Sequence, residues 1–265
     1  MILKDKLMLI TGASSGIGAA TARAAAMRKV RLALVARSES KLAGVAAEAG
    51  DLGQTPVFYR AVDLSDPQQV AAVAGEISSQ LGTPDIVLNN AGAGRWLSLI
   101  ETEPVAVAEM MAAPYFAAFY VTHAFLPAML ARGSGTCVFI NSVASRLVWP
   151  GAAAYTASRW AVRGLFEAVR AETTGKGVRA AMVTFAKVQS DYWANNPGSE
   201  ERLPKAQAAI PVLSVAQAAS AILQGLESDR ERIVEPFMLR LVLSWAHWFP
   251  GASRKMMLQS ARAKT

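Results

Sequence analysis

Cysteine, histidine and charge are scarce in this sequence, and each scarcity removes a class of function. The one cysteine, Cys137, permits no internal disulfide, and its apolar setting (TCVFI) makes it a core filler. That suits a reducing compartment, so a cytoplasmic location is expected. The two histidines, His123 and His247, have no metal-ligand neighbours, so no metal site is expected. Charged residues make up 18% of the chain against 52% hydrophobic, which excludes a disordered polymer and requires a filled core. No stretch has the ~18 uninterrupted apolar residues that a spanning helix needs, and the C-terminal tail comes closest. The N-terminus (MILKDKLMLITG) enters a strand-like segment directly, so no secretory leader is expected. Acidic residues are the minority, 20 against 27 basic, for a net charge of +7 that suits an anionic ligand or surface. Since no basic run alternates with aromatics, nucleic acid is not an expected partner.

What is abundant is an alternation of apolar runs with helix-forming stretches. Strands are expected at 6–11, 30–36, 56–62, 85–88, 136–141, 178–184 and 232–235. Helices are expected after Gly18, over 38–50 and 67–81, over 104–131 with an interruption at Pro114, and over 154–174 and 215–226. Strands alternating with helices at this spacing give right-handed crossovers. The expected fold is a single doubly wound α/β domain, a Rossmann-type parallel sheet of about seven strands with helices on both faces. Residues 1–236 are expected to form this domain, and 237–265 a helical, basic and apolar tail. The polar, proline-containing segment 186–212 is expected to act as a lid.

The first strand runs into TGASSGIG, Thr11 to Gly18, and then an alanine-rich helix. Strand, glycine turn and helix aim the backbone N–H groups of a helix N-terminus at a phosphate, and glycine lets that backbone come close. Gly12, Ser14, Ser15, Gly16, Ile17 and Gly18 are therefore candidate cofactor-binding residues. Arg37, at the end of the second strand, stands where an acidic residue would take the 2′-hydroxyl of NAD; a basic one suits the 2′-phosphate of NADP, so NADP is preferred over NAD. Asp63 is a candidate adenine contact or a loop cap.

Further on, Tyr155 and Arg159 lie four apart on an expected helix and share a face. A free tyrosine holds its proton to about pH 10 and needs a nearby cation to work near neutrality. Ser142 ends the neighbouring strand, where its hydroxyl reaches a substrate oxygen.

Together TGASSGIG at 11–18, Asp63-Leu64, NNAG at 89–92, Ser142 and Tyr155-x-x-x-Arg159 resemble the short-chain dehydrogenase/reductase family over roughly residues 6–235. The resemblance implies a nicotinamide cofactor, Tyr155 as catalytic acid/base and Ser142 orienting the carbonyl. It also implies Leu64, beside Asp63, among the cofactor-binding residues, Asn90, Ala91 and Gly92 along the cofactor near its ribose, and Val188 near the carboxamide. Three positions depart from the family pattern. Arg159 stands for the lysine that holds the nicotinamide ribose, Pro114 for a helix asparagine that supports proton relay, and Phe185-Ala186 for a Pro-Gly pair. Ser190 also replaces a usual threonine. Arginine keeps the charge but presents a wider planar fork, so the exchange is not conservative.

Two functional classes follow. One is an NADP-dependent oxidoreductase interconverting a carbonyl and an alcohol on a fairly apolar substrate, with Trp96, Trp149, Tyr192 and Trp193 on loops lining its pocket. The other is a catalytically weakened or inactive NADP-binding member acting as sensor, scaffold or partner subunit, with dehydratase or isomerase chemistry a further alternative. A homo-oligomer, dimer or tetramer, is expected. The tail either packs on the body or a second subunit, or makes peripheral membrane contact through residues 237–265, with Arg254, Lys255, Arg262 and Lys264 facing anionic lipid.

Overall fold

The apolar runs become a parallel sheet in a computed structural model of the chain, which describes residues 1–261; Arg262 and Lys264 lie outside the described residues. The strands are β1 (Leu7–Thr11), β2 (Arg31–Ala36), β3 (Phe58–Ala61), β4 (Ile86–Asn89), β5 (Gly135–Ser142), β6 (Val178–Phe185), β7 (Val188–Gln189), β8 (Leu213–Ser214) and β9 (Arg232–Glu235). Seven of them form one sheet in the order β3-β2-β1-β4-β5-β6-β9, and every neighbouring pair is parallel. The seven expected strands are all present, with ends moved by no more than two residues.

Strands in the middle of the sheet are covered on both faces, which is why they read as unbroken apolar runs. All five residues of β1 are buried, whereas edge strand β3 is largely exposed. Alternate side chains feed two cores: Met8, Ile10, Leu34, Leu88 and Val138 meet one helical layer, and Leu9, Val35, Val87 and Phe139 the other. The first layer holds α1 (Gly16–Met27), α2 (Glu39–Gly53) and α8 (Val215–Glu227). Opposite lie α3 (Pro67–Gln80), α5 (Ala117–Arg132) and α6 (Ala153–Thr173), with α4 (Pro104–Met111) leading into α5. Local chemistry sets several starts: Asp66 accepts from the N–H groups of Gln68 and Gln69 ahead of α3, and Ser214 and Gln217 form a capping box on α8.

Pro114 disturbs its helix as expected. Residues Ala112–Phe116 widen into a π-helical turn around the buried proline, which lacks an N–H and crowds the carbonyl a turn earlier. Pro127 sits inside α5 without breaking it. The tail is not the closest approach to a spanning helix. By length and composition that is 104–132. Ala117, Val121, Phe125 and Met129 of this stretch pack into the second core.

The tail forms α9 (Phe237–Trp248) and α10 (Pro250–Ser260). Its Leu239, Leu243 and Met257 join a third buried cluster with Trp96, Leu147, Trp149, Tyr155 and Ile210. The segment 186–212 is more ordered than a loop: β7 near its start pairs with β8 just beyond its end, and α7 (Tyr192–Asn195) lies within it.

Candidate active site

The strand order reverses between β1 and β4, and the site lies at their carboxyl ends, where a doubly wound sheet leaves a crevice. Thr11 joins the two strands: its hydroxyl donates to the Leu88 carbonyl at 3.3 Å and accepts from the N–H groups of Asn90 (2.9 Å) and Ala91 (3.0 Å). Asn90 closes the arrangement, donating from Nδ2 to the carbonyls of Thr11 (3.0 Å) and Gly12 (3.2 Å). Gly12 has φ +63°, and a Cβ there would lie 2.8 Å from the Cα of Ala91. A Cβ on Gly18 would lie 2.4 Å from the Gly12 oxygen. Ser15 leads into α1 without a side-chain cap, and the first turn holds no acidic residue. Backbone N–H groups at a helix N-terminus without a side-chain acceptor fit a pyrophosphate.

One cavity of about 1560 Å³ runs along this crevice. It is lined by Gly12, Ser14, Ser15, Gly16, Ile17, Arg37, Asp63, Leu64, Asn90, Ala91, Gly92, Ser142, Tyr155, Arg159 and Val188. Gly18 is the exception among the candidate residues. It is buried under the loop and serves close packing, its missing Cβ making room for the Gly12 oxygen. Two others are refined. The Asn90 side-chain amide and backbone N–H are both committed to the loop, leaving only its carbonyl to offer a ligand. Asp63 accepts from the Ser65 N–H (3.0 Å) and hydroxyl (2.7 Å), the loop-capping alternative, through one carboxylate oxygen. Those two bonds, with a smaller contribution from Arg37, hold its carboxyl below the usual range. Arg37 itself is exposed at the cavity's end.

At the other end α6 presents Tyr155 and Arg159, 5% and 7% exposed. The guanidinium carbon lies 4.9 Å from the centroid of the Tyr155 ring, a cation–π contact. Its far side meets Gly92, where a Cβ would lie 3.0 Å from Nη2. Arg159 Nε is buried without an acceptor, and among the described residues no carboxylate pairs with this guanidinium. A buried cation of this kind calls for acceptor atoms, and a ribose presents them; the residues fit a dinucleotide here as at the glycine loop. The hydroxyl of Ser142, at the end of β5, accepts from the Ala144 N–H at 3.3 Å. Phe185 and Ala186 line the same end, and Ser190 approaches the phosphate loop, its Cβ 3.6 Å from where a Gly16 Cβ would stand.

Tyr155 is covered by aromatic rings. Trp96 has its centroid 5.2 Å from Tyr155, 5.2 Å from Trp149 and 5.6 Å from Trp193. Tyr192 and Trp193 stand on the short helix α7 rather than on a loop, which corrects the sequence expectation. The Tyr192 hydroxyl donates to the Gly94 carbonyl (2.5 Å) and accepts from the Trp96 indole (3.0 Å). Burial pushes the Tyr192 hydroxyl far above the ordinary tyrosine range, so it keeps its proton. The Trp96 N–H donates to Ser199 at 3.0 Å, and Arg202 forks onto Glu101 at 2.6 and 2.7 Å, tying residues 199–202 to the loop at 96–101. Sequence reasoning listed the aromatics but missed these ties, which join residues about a hundred positions apart.

Residues 6–201 match the family model for short chain dehydrogenases. The chain belongs to the short-chain dehydrogenase/reductase family. Dehydrogenase/reductase SDR family member 7B of Danio rerio is 32% identical over 198 residues, covering 73% of this chain and 64% of that protein, less than two thirds of its length. 17-beta-hydroxysteroid dehydrogenase 13 of Rattus norvegicus is 30% identical over 246 residues, 92% of this chain and 79% of the relative. A short-chain dehydrogenase from Sphingobium yanoikuyae in complex with NADPH superposes with a TM-score of 0.80 at 26% identity, covering 98% of this chain and 97% of its own. One from Burkholderia phymatum in complex with NAD gives 0.84 at 24% identity, with coverages of 96% and 97%, a likeness of fold. The family is one of oxidoreductases acting on small molecules, and the Sphingobium member is solved with NADPH bound.

Proposed function

We propose that this protein is an NADP-dependent oxidoreductase interconverting a carbonyl and an alcohol on a fairly apolar substrate. The observation that carries the reading is the single cavity joining the glycine loop to Tyr155 and Ser142. Gly12 and the N-terminus of α1 would hold the pyrophosphate, Arg37 the 2′-phosphate, and Arg159 with the backbone of Asn90, Ala91 and Gly92 the nicotinamide ribose. Val188 would lie by the carboxamide. A bound nicotinamide would supply the hydride in reduction and accept it in oxidation. Tyr155 gives its hydroxyl proton to the carbonyl oxygen, and Ser142 donates a hydrogen bond to the same oxygen. Arg159 stabilises the negative charge left on the tyrosine oxygen.

Trp96, Trp149, Trp193, Leu203, Ile210 and Met257 line the substrate end and support an apolar substrate. The name of the rat relative, a hydroxysteroid dehydrogenase, points the same way. Exposed Phe119 on α5 and Trp160 on α6 offer an apolar face for a homo-oligomer. The buried lone thiol suits a reducing compartment such as the cytoplasm.

A second reading has its own observations. Arg159 in place of lysine, the π turn at Pro114 and the Trp96 cover over Tyr155 together favour an NADP-binding member with weakened chemistry. Turnover of apolar ketones, aldehydes and alcohols with NADP(H) separates the two. The oxidoreductase reading expects NADPH consumption that falls at least ~100-fold in Tyr155→Phe, the typical share of a general acid. NADPH binding without turnover would leave the second reading standing. Product formed without cofactor consumption would instead mean dehydration or isomerisation.

A further inference from the structure

The outer face of the tail is not explained by the site it covers. On the inner side of α9 and α10, Met238, Val242, Met256 and Met257 line the cavity. Outward, Phe237, Leu241, Trp245 and Trp248 recur at helical spacing along α9, and all four are exposed, Trp248 to 76%. Phe249 and Leu258 extend this face onto α10. Singly exposed apolar residues are ordinary, but a continuous stripe of large ones marks an interaction surface.

We infer that α9 and α10 seat the protein on an anionic lipid surface, with the cavity's roof held against it. Charge chooses this occupant over a second copy of the chain. No acidic residue follows Glu235 in the sequence, and Arg254 and Lys255 are exposed beside the stripe without an ion-pair partner among the described residues. A two-fold dimer through this stripe would gather both copies' Arg254 and Lys255 with no acid from the segment to neutralise them. A bilayer with anionic headgroups meets both needs at once: it buries the tryptophans at the interface and attracts the cations. The consequence for the site rests on the apolar-substrate reading. One layer of helix then separates lipid from cavity, so the substrate class is a membrane-dissolved lipophilic carbonyl or alcohol entering beside the tail.

The test is sedimentation of the full chain with vesicles of phosphatidylcholine alone and with added phosphatidylglycerol. It compares wild type with Trp245→Ser/Trp248→Ser/Phe249→Ser, none of which lines the cavity, and with Arg254→Gln/Lys255→Gln. Expected are binding to phosphatidylglycerol vesicles, weaker binding to phosphatidylcholine alone, at least ~10-fold loss in the triple variant and a clear loss in the double variant. Retained NADPH binding shows that each variant is folded. Absent binding, binding unchanged in the triple variant, or a concentration-dependent dimer abolished by it would overturn the proposal. Substrate entry is read separately: the triple variant should lose turnover of a long-chain aldehyde carried in the vesicles and keep that of a short soluble one. If neither aldehyde is turned over, the oxidoreductase reading fails while the vesicle result still decides the surface.

Discussion

Gly18→Ala tests how the phosphate loop is held. The added Cβ would stand 2.4 Å from the Gly12 oxygen and 2.6 Å from Asn90 Nδ2. Both are fixed: the first is backbone, and the second is committed to the carbonyls of Thr11 and Gly12. The backbone at Gly18 is ordinary helix, so the effect is steric and not conformational. Overpacking of this kind costs about 1–3 kcal/mol, and weakening the two Asn90 bonds costs about 1 kcal/mol each. Better helix propensity returns about 1 kcal/mol. The net loss expected is about 2–4 kcal/mol. Gly44→Ala on α2 is the control, because nothing lies within 4 Å of its Cβ and the gain is about 0.5–1 kcal/mol. Urea unfolding reads both, as opposite shifts in midpoint at constant m. Displaced Gly12 and Ala91 should also weaken NADPH at least ~10-fold, as about 1.4 kcal/mol corresponds to tenfold. Equal stability of the two variants, with NADPH affinity intact in Gly18→Ala, would refute the reasoning.

Arg37→Glu should weaken NADPH by about 10–100-fold while leaving NADH unchanged or tighter, since a charge-assisted bond contributes about 1.5–3 kcal/mol; parallel fluorescence titrations check it. Burial pushes the Cys137 thiol up to about 12, so native protein should not react with a disulfide reagent until it unfolds. Because the folded value is raised above about 8.5, that contribution to stability is whole below about pH 8.5 and is lost as pH rises towards the folded value. The stability advantage of wild type over Cys137→Ala should therefore narrow between about pH 8 and about pH 10. Arg202→Ala should speed proteolysis within 196–212 by cutting the tie to Glu101. Arg202, with Ser98, holds the Glu101 carboxyl well below the carboxylate range, so in wild type the tie stands above about pH 4.3 and weakens only in stronger acid. Unchanged cleavage in the variant would mean that the tie does not restrain the lid.

Strands and phosphate loop were legible because their signals are local. Leu7 to Ile10 is apolar throughout since the middle of a parallel sheet is buried on both faces, and Gly12 and Gly18 fall where backbone must approach backbone. Pro114 was legible for the same reason, as its ring acts on its own turn. Long-range commitments were not. Nothing adjacent to Asn90 says that its amide holds Gly12 rather than a ligand, and nothing near Trp96 says that Ser199 and Tyr192 will lock it over Tyr155. Length and composition likewise did not separate residues 104–132, one face of which packs into the second core, from a lipid-facing helix. The tail's apolar residues could be counted, but only the packing of Leu239, Leu243 and Met257 divides them into an inner and an outer face.

Hydride transfer itself is tested most directly by NADPH carrying deuterium at the transferring position of its nicotinamide ring. Incubated with the protein and an apolar ketone, it should place one deuterium on the carbinol carbon of the alcohol, and Tyr155→Phe should slow that transfer at least ~100-fold. An unlabelled alcohol, or nicotinamide that keeps its deuterium through many protein equivalents of ketone, would contradict it.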